Sequence, residues 1–239
     1  MIKKIFLKTI NLLYPVTCSL CGKDLTAISK YKICDECKKS FNKIKDDICQ
    51  KCGINLGDGG KLCCTCRKNL QTYGFDKLRS VYLYKGNLRK LILKFKYSNR
   101  PFLYKDFAFE MSKLIQEYDF FSSSDFIISV PLNILRKIKR GYNQAELLAK
   151  GVSIKTEIPI LRNILFRKKI TKPQFKLSKS ERVKNIDNSF VVKNKNVIKG
   201  KTILLVDDIA TTCSTVSSCA NVLKCNGAQK VYVLTLARD

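Results

Sequence analysis

The stretch Ile203-Leu-Leu-Val-Asp-Asp-Ile-Ala-Thr-Thr-Cys-Ser-Thr215 sets the fold. Its first four residues are all apolar, as expected of a parallel strand covered on both faces. Two carboxylates, Asp207 and Asp208, follow at the carboxyl end, and a Thr/Ser-rich turn then opens a helix over 213–226. Open parallel sheets bind ligands just beyond the carboxyl ends of their strands. The turn from Ala210 to Thr215, with Cys213 in it, is therefore a candidate phosphate cradle. Its amides would donate alongside the hydroxyls of Thr211, Thr212, Ser214 and Thr215. Asp207 and Asp208 suit the 2- and 3-hydroxyls of a ribose, directly or through Mg²⁺. A strand end with an Asp cap and an ordinary turn has the same residue types.

Outward from this stretch, the pattern alternates. Residues 78–84, 125–130, 202–206 and 230–236 have the character of strands. Residues 88–97 form an amphipathic helix, with Leu88, Leu91, Ile92 and Phe95 on one face; further helices are expected over 104–118 and from residue 144 onward. This alternation predicts an α/β fold, a mainly parallel sheet flanked by helices. Residues 131–143 are expected to form a basic loop carrying Arg136, Lys137, Lys139 and Arg140, with Gly141 as its hinge.

Upstream of about Phe75 the composition changes. Eight of the twelve cysteines form four C-x-x-C pairs, Cys18/Cys21, Cys34/Cys37, Cys49/Cys52 and Cys63/Cys66, and the chain has no histidine. Each C-x-x-C turn presents two thiolates, and two turns complete a tetrahedral zinc shell. Gly22 and Gly53 follow the second cysteine of their pairs, where a knuckle needs a permissive backbone. Sequential pairing gives Cys18, Cys21, Cys34, Cys37 and Cys49, Cys52, Cys63, Cys66; cross-bracing also satisfies the spacing, and Cys64 competes with Cys63. Four protein ligands at each site make both zinc ions structural. The chain thus divides into a first unit over 1–74, an N-terminal helix with a double zinc ribbon, and a second over 75–239.

The formal net charge is +27, from 46 Lys and Arg against 19 Asp and Glu. Two tetrathiolate zinc sites lower it to about +23. Residues 125–200 hold 18 of the basic and 5 of the acidic side chains, so the field is locally concentrated and attracts polyanions. Lys38, Lys39, Lys43 and Lys45 add a basic face to the ribbon. No apolar run is long enough to span a bilayer. Residues 1–14 are broken by Lys8 and Asn11 and lack a small-residue cleavage site, so they are expected to form an amphipathic helix rather than a signal peptide, which places the protein in the cytoplasm.

The 203–215 stretch resembles the phosphoribosyl-diphosphate loop of type I phosphoribosyltransferases: a strand, two acidic residues, then Thr-Thr-Gly-x-Thr. Three further segments resemble the ComF family, the competence-associated branch of that superfamily. They are Leu91-Ile-Leu-Lys-Phe-Lys-Tyr97; Val130-Pro-Leu with Arg140-Gly-Tyr-Asn-Gln-Ala-Glu-Leu-Leu148; and Gln174-x-x-Leu-x-x-x-x-Arg182-x-x-Asn185, followed by Phe190. The cysteine pairs match as well. The resemblance implies a phosphoribosyltransferase-like domain over 75–239 that binds phosphoribosyl diphosphate, or a nucleotide, with Mg²⁺. It implies that Arg136, Lys139, Arg140, Gly141, Asn143 and Gln144 border the pyrophosphate, and that Gln174, Arg182 and Asn185 belong to a flap. It also implies a cytoplasmic role in natural transformation, with single-stranded DNA and other competence proteins as partners.

Cys213 stands where the family has Gly. A positive φ there would strain a cysteine by about 1 kcal/mol or more; the expectation is a negative φ that accommodates it. Three function classes follow. The first is a transferase, with Asp207, Asp208 and Arg140 in the catalytic site and no legible general base. The second is a non-catalytic binder of single-stranded DNA, stacking bases on Tyr82, Tyr84, Tyr97 or Tyr142. The third is an oxidation-sensitive regulator acting through Cys64, Cys213, Cys219 and Cys225. Of these, Cys219 and Cys225 are expected to be core residues.

Overall fold

The computed structural model describes residues 16–26, 29–44, 47–57, 60–68, 73–168 and 189–239. The expected helix over 1–14, Lys45, and the flap residues Gln174, Arg182 and Asn185 lie outside the described residues.

Strands β1 (Lys77–Leu83), β2 (Phe126–Ser129), β5 (Thr202–Ala210) and β6 (Lys230–Arg238) make one sheet in the order β1-β6-β5-β2, and every neighbouring pair is parallel. Strands β3 (Leu165–Arg167) and β4 (Phe190–Val192) form a separate antiparallel pair. The described α-helices are α1 (Asp35–Lys39), α2 (Cys64–Lys68), α3 (Gly86–Tyr97), α4 (Tyr104–Glu117), α5 (Asp119–Ser122), α6 (Ile134–Arg140), α7 (Gln144–Thr156) and α8 (Ser214–Cys225).

Period-two alternation along β5 builds two cores. Leu204 and Val206 face one, with Leu91 and Phe95 of α3, Met111 of α4 and Leu148 of α7. Ile203 and Leu205 face the other, with Val216, Cys219 and Leu223 of α8. All four strand residues are fully buried, and each contributes about 1.5–3 kcal/mol. The strand runs further than its apolar run suggests. Asp207 still pairs with Thr235, and Ala210 with Arg238, so both carboxylates belong to the ladder rather than to a loop.

The cysteine-rich unit straddles the β1 edge of the sheet. Cys18 and Cys37 join the first core, while Cys49, Cys52 and Cys66 join the second. Between them, the chain closes the outer edge of β1: Ile44 N–H donates to Val81 O, Leu83 N–H to Asn42 O, and Leu78 N–H to Lys51 O. An edge strand otherwise presents a row of unpaired backbone groups. Arg79 is buried and donates to the carbonyls of Gln50 at 3.1 Å and Leu78 at 2.7 Å, its guanidinium lying over the ring of Tyr118. Asp106 of α4 accepts from Lys32 N–H at 2.9 Å and pairs with Lys38 at 3.7 Å. Lys43 pairs with Glu117 at 3.4 Å. Lys38 and Lys43, part of the basic face expected on the ribbon, thus tie the ribbon to the helical body.

The basic segment 131–143 is not a loop. It contains α6, capped by the Asn133 side chain accepting from Leu135 N–H and ended by Gly141 at φ +78°. Gly141 is thus the left-handed cap of a helix rather than a hinge.

Two glycines give a matched test of how closely the ribbon approaches β1. Gly22 and Gly53 both have positive φ, +78° and +64°, but a Cβ on Gly53 would lie 2.6 Å from Leu78 O, whereas one on Gly22 meets open space. Gly22→Ala is expected to cost about 1 kcal/mol, from left-handed strain alone. Gly53→Ala should cost about 2–3 kcal/mol, because the clash adds to the strain. Urea denaturation of the zinc-loaded variants measures both; equal losses would show that the ribbon does not press on β1 as described.

Candidate functional site

The cysteines fall into two groups, Cys18, Cys21, Cys34, Cys37 and Cys49, Cys52, Cys63, Cys66, each with its four sulfurs within 4.8 Å of one another. Pairing is sequential, and Cys64 is exposed and outside both groups. The Cys21–Cys34 and Cys52–Cys63 sulfurs are 3.8 and 3.7 Å apart. A tetrahedron with Zn–S bonds of about 2.3 Å has edges of about 3.8 Å, so the donor sets fit zinc. Their electrostatics call for a cation. Burial first, then the charge of Cys49, pushes the Cys52 thiol up to about 12, a penalty that a bound metal ion removes. With four protein ligands each, the sites are structural.

The second site lies beyond the carboxyl ends of β5 and β2. A cavity of about 140 Å³ is lined by Lys96, Arg136, Arg140, Asn143, Gln144, Arg167, Asp207, Asp208 and Thr215, among others. It meets a smaller cradle lined by residues 209–216, and Asp207 and Thr215 belong to both. The start of α7 supplies Gln144, after Asn143 caps the helix by accepting from Ala145 N–H at 3.1 Å. Arg140 donates to Gln144 Oε1 at 2.9 Å and to Tyr97 Oη at 3.1 Å, stacking over that ring. Gln144 Nε2 and Arg167 Nε are buried donors with no partner among the described residues. Unpaired donors beside several cations fit an anionic ligand.

Asp207 Oδ1 accepts from Asp208 N–H at 2.8 Å, and Asp208 pairs with Lys96 at 2.9 Å. Desolvation first, then the charge of Asp208, pushes the Asp207 carboxyl up to about 8. Each carboxyl of the pair thus has one oxygen engaged, Asp207 by an amide and Asp208 by an ammonium.

In the cradle, Thr212 Oγ1 and Ser214 Oγ lie 2.8 Å apart. Cys213 caps α8 at φ 62°, ψ 3°, so the expected negative φ is wrong. The cysteine takes the left-handed conformation that glycine adopts freely. Its thiol is buried in the second core, which leaves the ligand side of the turn to backbone. Burial raises the pKa of that thiol, the reverse of what a helix N-terminus alone would do. Arg238, buried at the end of β6, donates to the carbonyls of Ala210 and Thr211.

Arg136, Arg140, Asn143, Gln144, Asp207 and Asp208 thus come together, while Lys139 and Gly141 do not line the cavity. Sequence reasoning missed Lys96, Arg167 and Arg238. Lys96 sat in a quoted motif and follows the buried Phe95, but its partner lies 112 residues away; Arg167 and Arg238 carried no local signal. Of the four tyrosines considered for stacking, Tyr97 is 64% exposed and Tyr82 is buried against Phe41. Tyr142 donates to Phe95 O. Cys219 is a core residue, but Cys225 is exposed.

The family model described as the double zinc ribbon domain matches residues 9–67. The chain is 32% identical to competence protein F of Haemophilus influenzae, over 68% of this chain and 71% of that one. It is 30% identical to DNA utilization protein YhgH of Escherichia coli, over 74% and 77%. Among solved structures, it resembles in fold a purine phosphoribosyltransferase from Pyrococcus horikoshii, at 18% identity over 56% of this chain and 70% of that one, TM-score 0.35. Another is the glutamine phosphoribosylpyrophosphate amidotransferase of Bacillus subtilis, at 18% identity over 60% and 30%, TM-score 0.42. Among the described residues, no helix is long and apolar enough to cross a membrane. With its two four-cysteine groups and its identity to these relatives over most of its length, the chain belongs to the competence protein F (ComF) family.

Proposed function

We propose that the chain binds phosphoribosyl diphosphate in the cytoplasm and serves DNA uptake in natural transformation. The observation that carries this reading is the continuity of the cationic cavity with the 209–216 cradle through Asp207 and Thr215. In this arrangement residues 210–215 hold the 5-phosphate, Asp207 and Asp208 orient the ribose hydroxyls, and Arg136, Arg140 and the free Gln144 donor meet the diphosphate. Mg²⁺, bound together with the diphosphate, would supply neutralising charge on the phosphates beside Asp207 and Asp208. Transfer of the sugar breaks the C1–O bond to pyrophosphate and forms a C1–N bond to an acceptor, whose N–H proton passes to the departing pyrophosphate or to water. This chain's part is to position the ribose and stabilise the departing anion. The relatives named for competence and DNA utilization supply the biological context.

A second reading, non-catalytic binding of single-stranded DNA, is favoured by the exposed Tyr97 with Arg140 stacked on it at the cavity mouth. The readings separate by measurement. A transferase releases pyrophosphate with some nitrogenous acceptor. A DNA binder shows an affinity that falls steeply with salt and is insensitive to phosphoribosyl diphosphate.

Calorimetric titration of phosphoribosyl diphosphate and Mg²⁺ into zinc-loaded protein is expected to show saturable binding, lost in Asp207→Ala/Asp208→Ala; no binding by the wild type would sink the reading. Because Cys213 already adopts the left-handed cap with its thiol turned into the core, Cys213→Gly should change that affinity by less than about threefold. Cys213→Val, β-branched at positive φ, should weaken it roughly tenfold or more. The reverse ranking would mean that the cysteine side chain faces the phosphate.

Asp207 gives a ligand-free test. Its carboxyl ionises near pH 4 in the unfolded chain and near 8 in the fold, so between these values the folded state holds the extra proton and stability falls as pH rises. Asp207→Asn should flatten the decline in melting temperature between pH 5 and 8. Parallel profiles for variant and wild type would show that the carboxyl is not raised.

A further inference from the structure

Lys96 lies in the last turn of α3, one residue after the fully buried Phe95, so its backbone is fixed by the first core. Its ammonium lies 2.9 Å from Asp208 Oδ2, and the two side chains are only 17% and 11% exposed. The backbone N–H of Asp208 meanwhile occupies Asp207 Oδ1. Three guanidinium groups, Arg136, Arg140 and Arg167, line the same cavity. Four side-chain cations thus share a cavity with two carboxyl groups. A divalent ion arriving alone must displace an ammonium from a screened contact and approach three further positive charges, all repelling it at low local dielectric. A divalent ion carried by a polyanion meets the opposite balance, because the phosphates satisfy the cations as the metal enters.

We propose that Lys96 is the resident counter-ion of Asp208, excluding free divalent metal from the carboxylate pair, so that metal reaches this cavity only with a polyanionic ligand. The second half rests on the phosphoribosyl diphosphate reading; the exclusion itself does not. Lys96 is a positioning residue here. It holds the Asp208 carboxyl group in place at 2.9 Å, and it selects for ligands that bring their own negative charge.

The test uses Mn²⁺ alone, followed by electron paramagnetic resonance on zinc-loaded protein, so that the thiolate sites are filled. The six-line signal of aqueous Mn²⁺ should persist undiminished with wild type and with Lys96→Arg. Lys96→Met should bind one Mn²⁺ per chain, roughly tenfold or more tighter than wild type, and Asp208→Asn in that background should abolish the site. Melting curves establish that each variant is folded, and Lys96→Gln serves if the methionine variant is not. Uptake of Mn²⁺ by wild type equal to that of Lys96→Met would overturn the proposal. So would a folded Lys96 variant, methionine or glutamine, that takes up none. No phosphoribosyl compound is present, so this outcome is independent of whether the calorimetric titration succeeds.

Discussion

The outer edge of β1 is the constraint on which the rest depends. A four-stranded parallel sheet needs both faces covered and both edges managed, and the helices of this chain cover faces only. The ribbon supplies the missing backbone partners at Asn42, Ile44 and Lys51, and the two cysteine groups sit on opposite sides of the sheet, one in each core. Metal ligation therefore stabilises more than a small appendage. It holds rigid a strap that seals the sheet, and the sheet in turn fixes the direction in which β5 delivers its carboxylates. Arg79 is the fastener, satisfying carbonyls of both ribbon and strand from a buried position.

At the other end of the strands, charge rather than apolar burial governs. Lys96 from α3, Arg136 and Arg140 from α6, and Arg167 from β3 converge on one small cavity from elements far apart in sequence. Bringing these cations together without a ligand is unfavourable. The fold offsets it locally, with Asp208 against Lys96, the Gln144 carbonyl oxygen against Arg140, and an aromatic ring beneath the same guanidinium. What stays unsatisfied among the described residues is the Gln144 amide and the Arg167 Nε, two buried donors of the cavity lining.

Features set by short-range pattern were legible in the sequence. The four apolar residues at 203–206, the C-x-x-C spacing and the helical stripe at Leu88, Leu91, Ile92 and Phe95 each declare a local geometry with one good solution. Boundaries were less so: β5 continues through both aspartates because β6 lies alongside to pair them, which no local pattern reveals. The helix at 134–140 was hidden because it buries nothing and so lacks an apolar face turned toward a core. The Cys213 backbone was misjudged because a side chain's preference for negative φ yields when the neighbouring strand and helix fix the turn. Lys96 and Arg238 were invisible as site residues because their partners are set by topology alone.

The strand order carries a consequence for how the molecule is made. The centre of the sheet, between β1 and β5, is filled by β6, the last of the four sheet strands to leave the ribosome. Until it arrives, the edges of β1 and β5 that face each other have no partner strand, and the Ala210 and Thr211 carbonyls have no Arg238 donor. Before then the first core lacks Tyr232, Leu234, Leu236 and Ala237, and the slot between β1 and β5 is empty. Insertion of that buried strand completes both cores, a non-local closure of the kind that makes folding slow and leaves unpaired edges exposed to other chains in the interval.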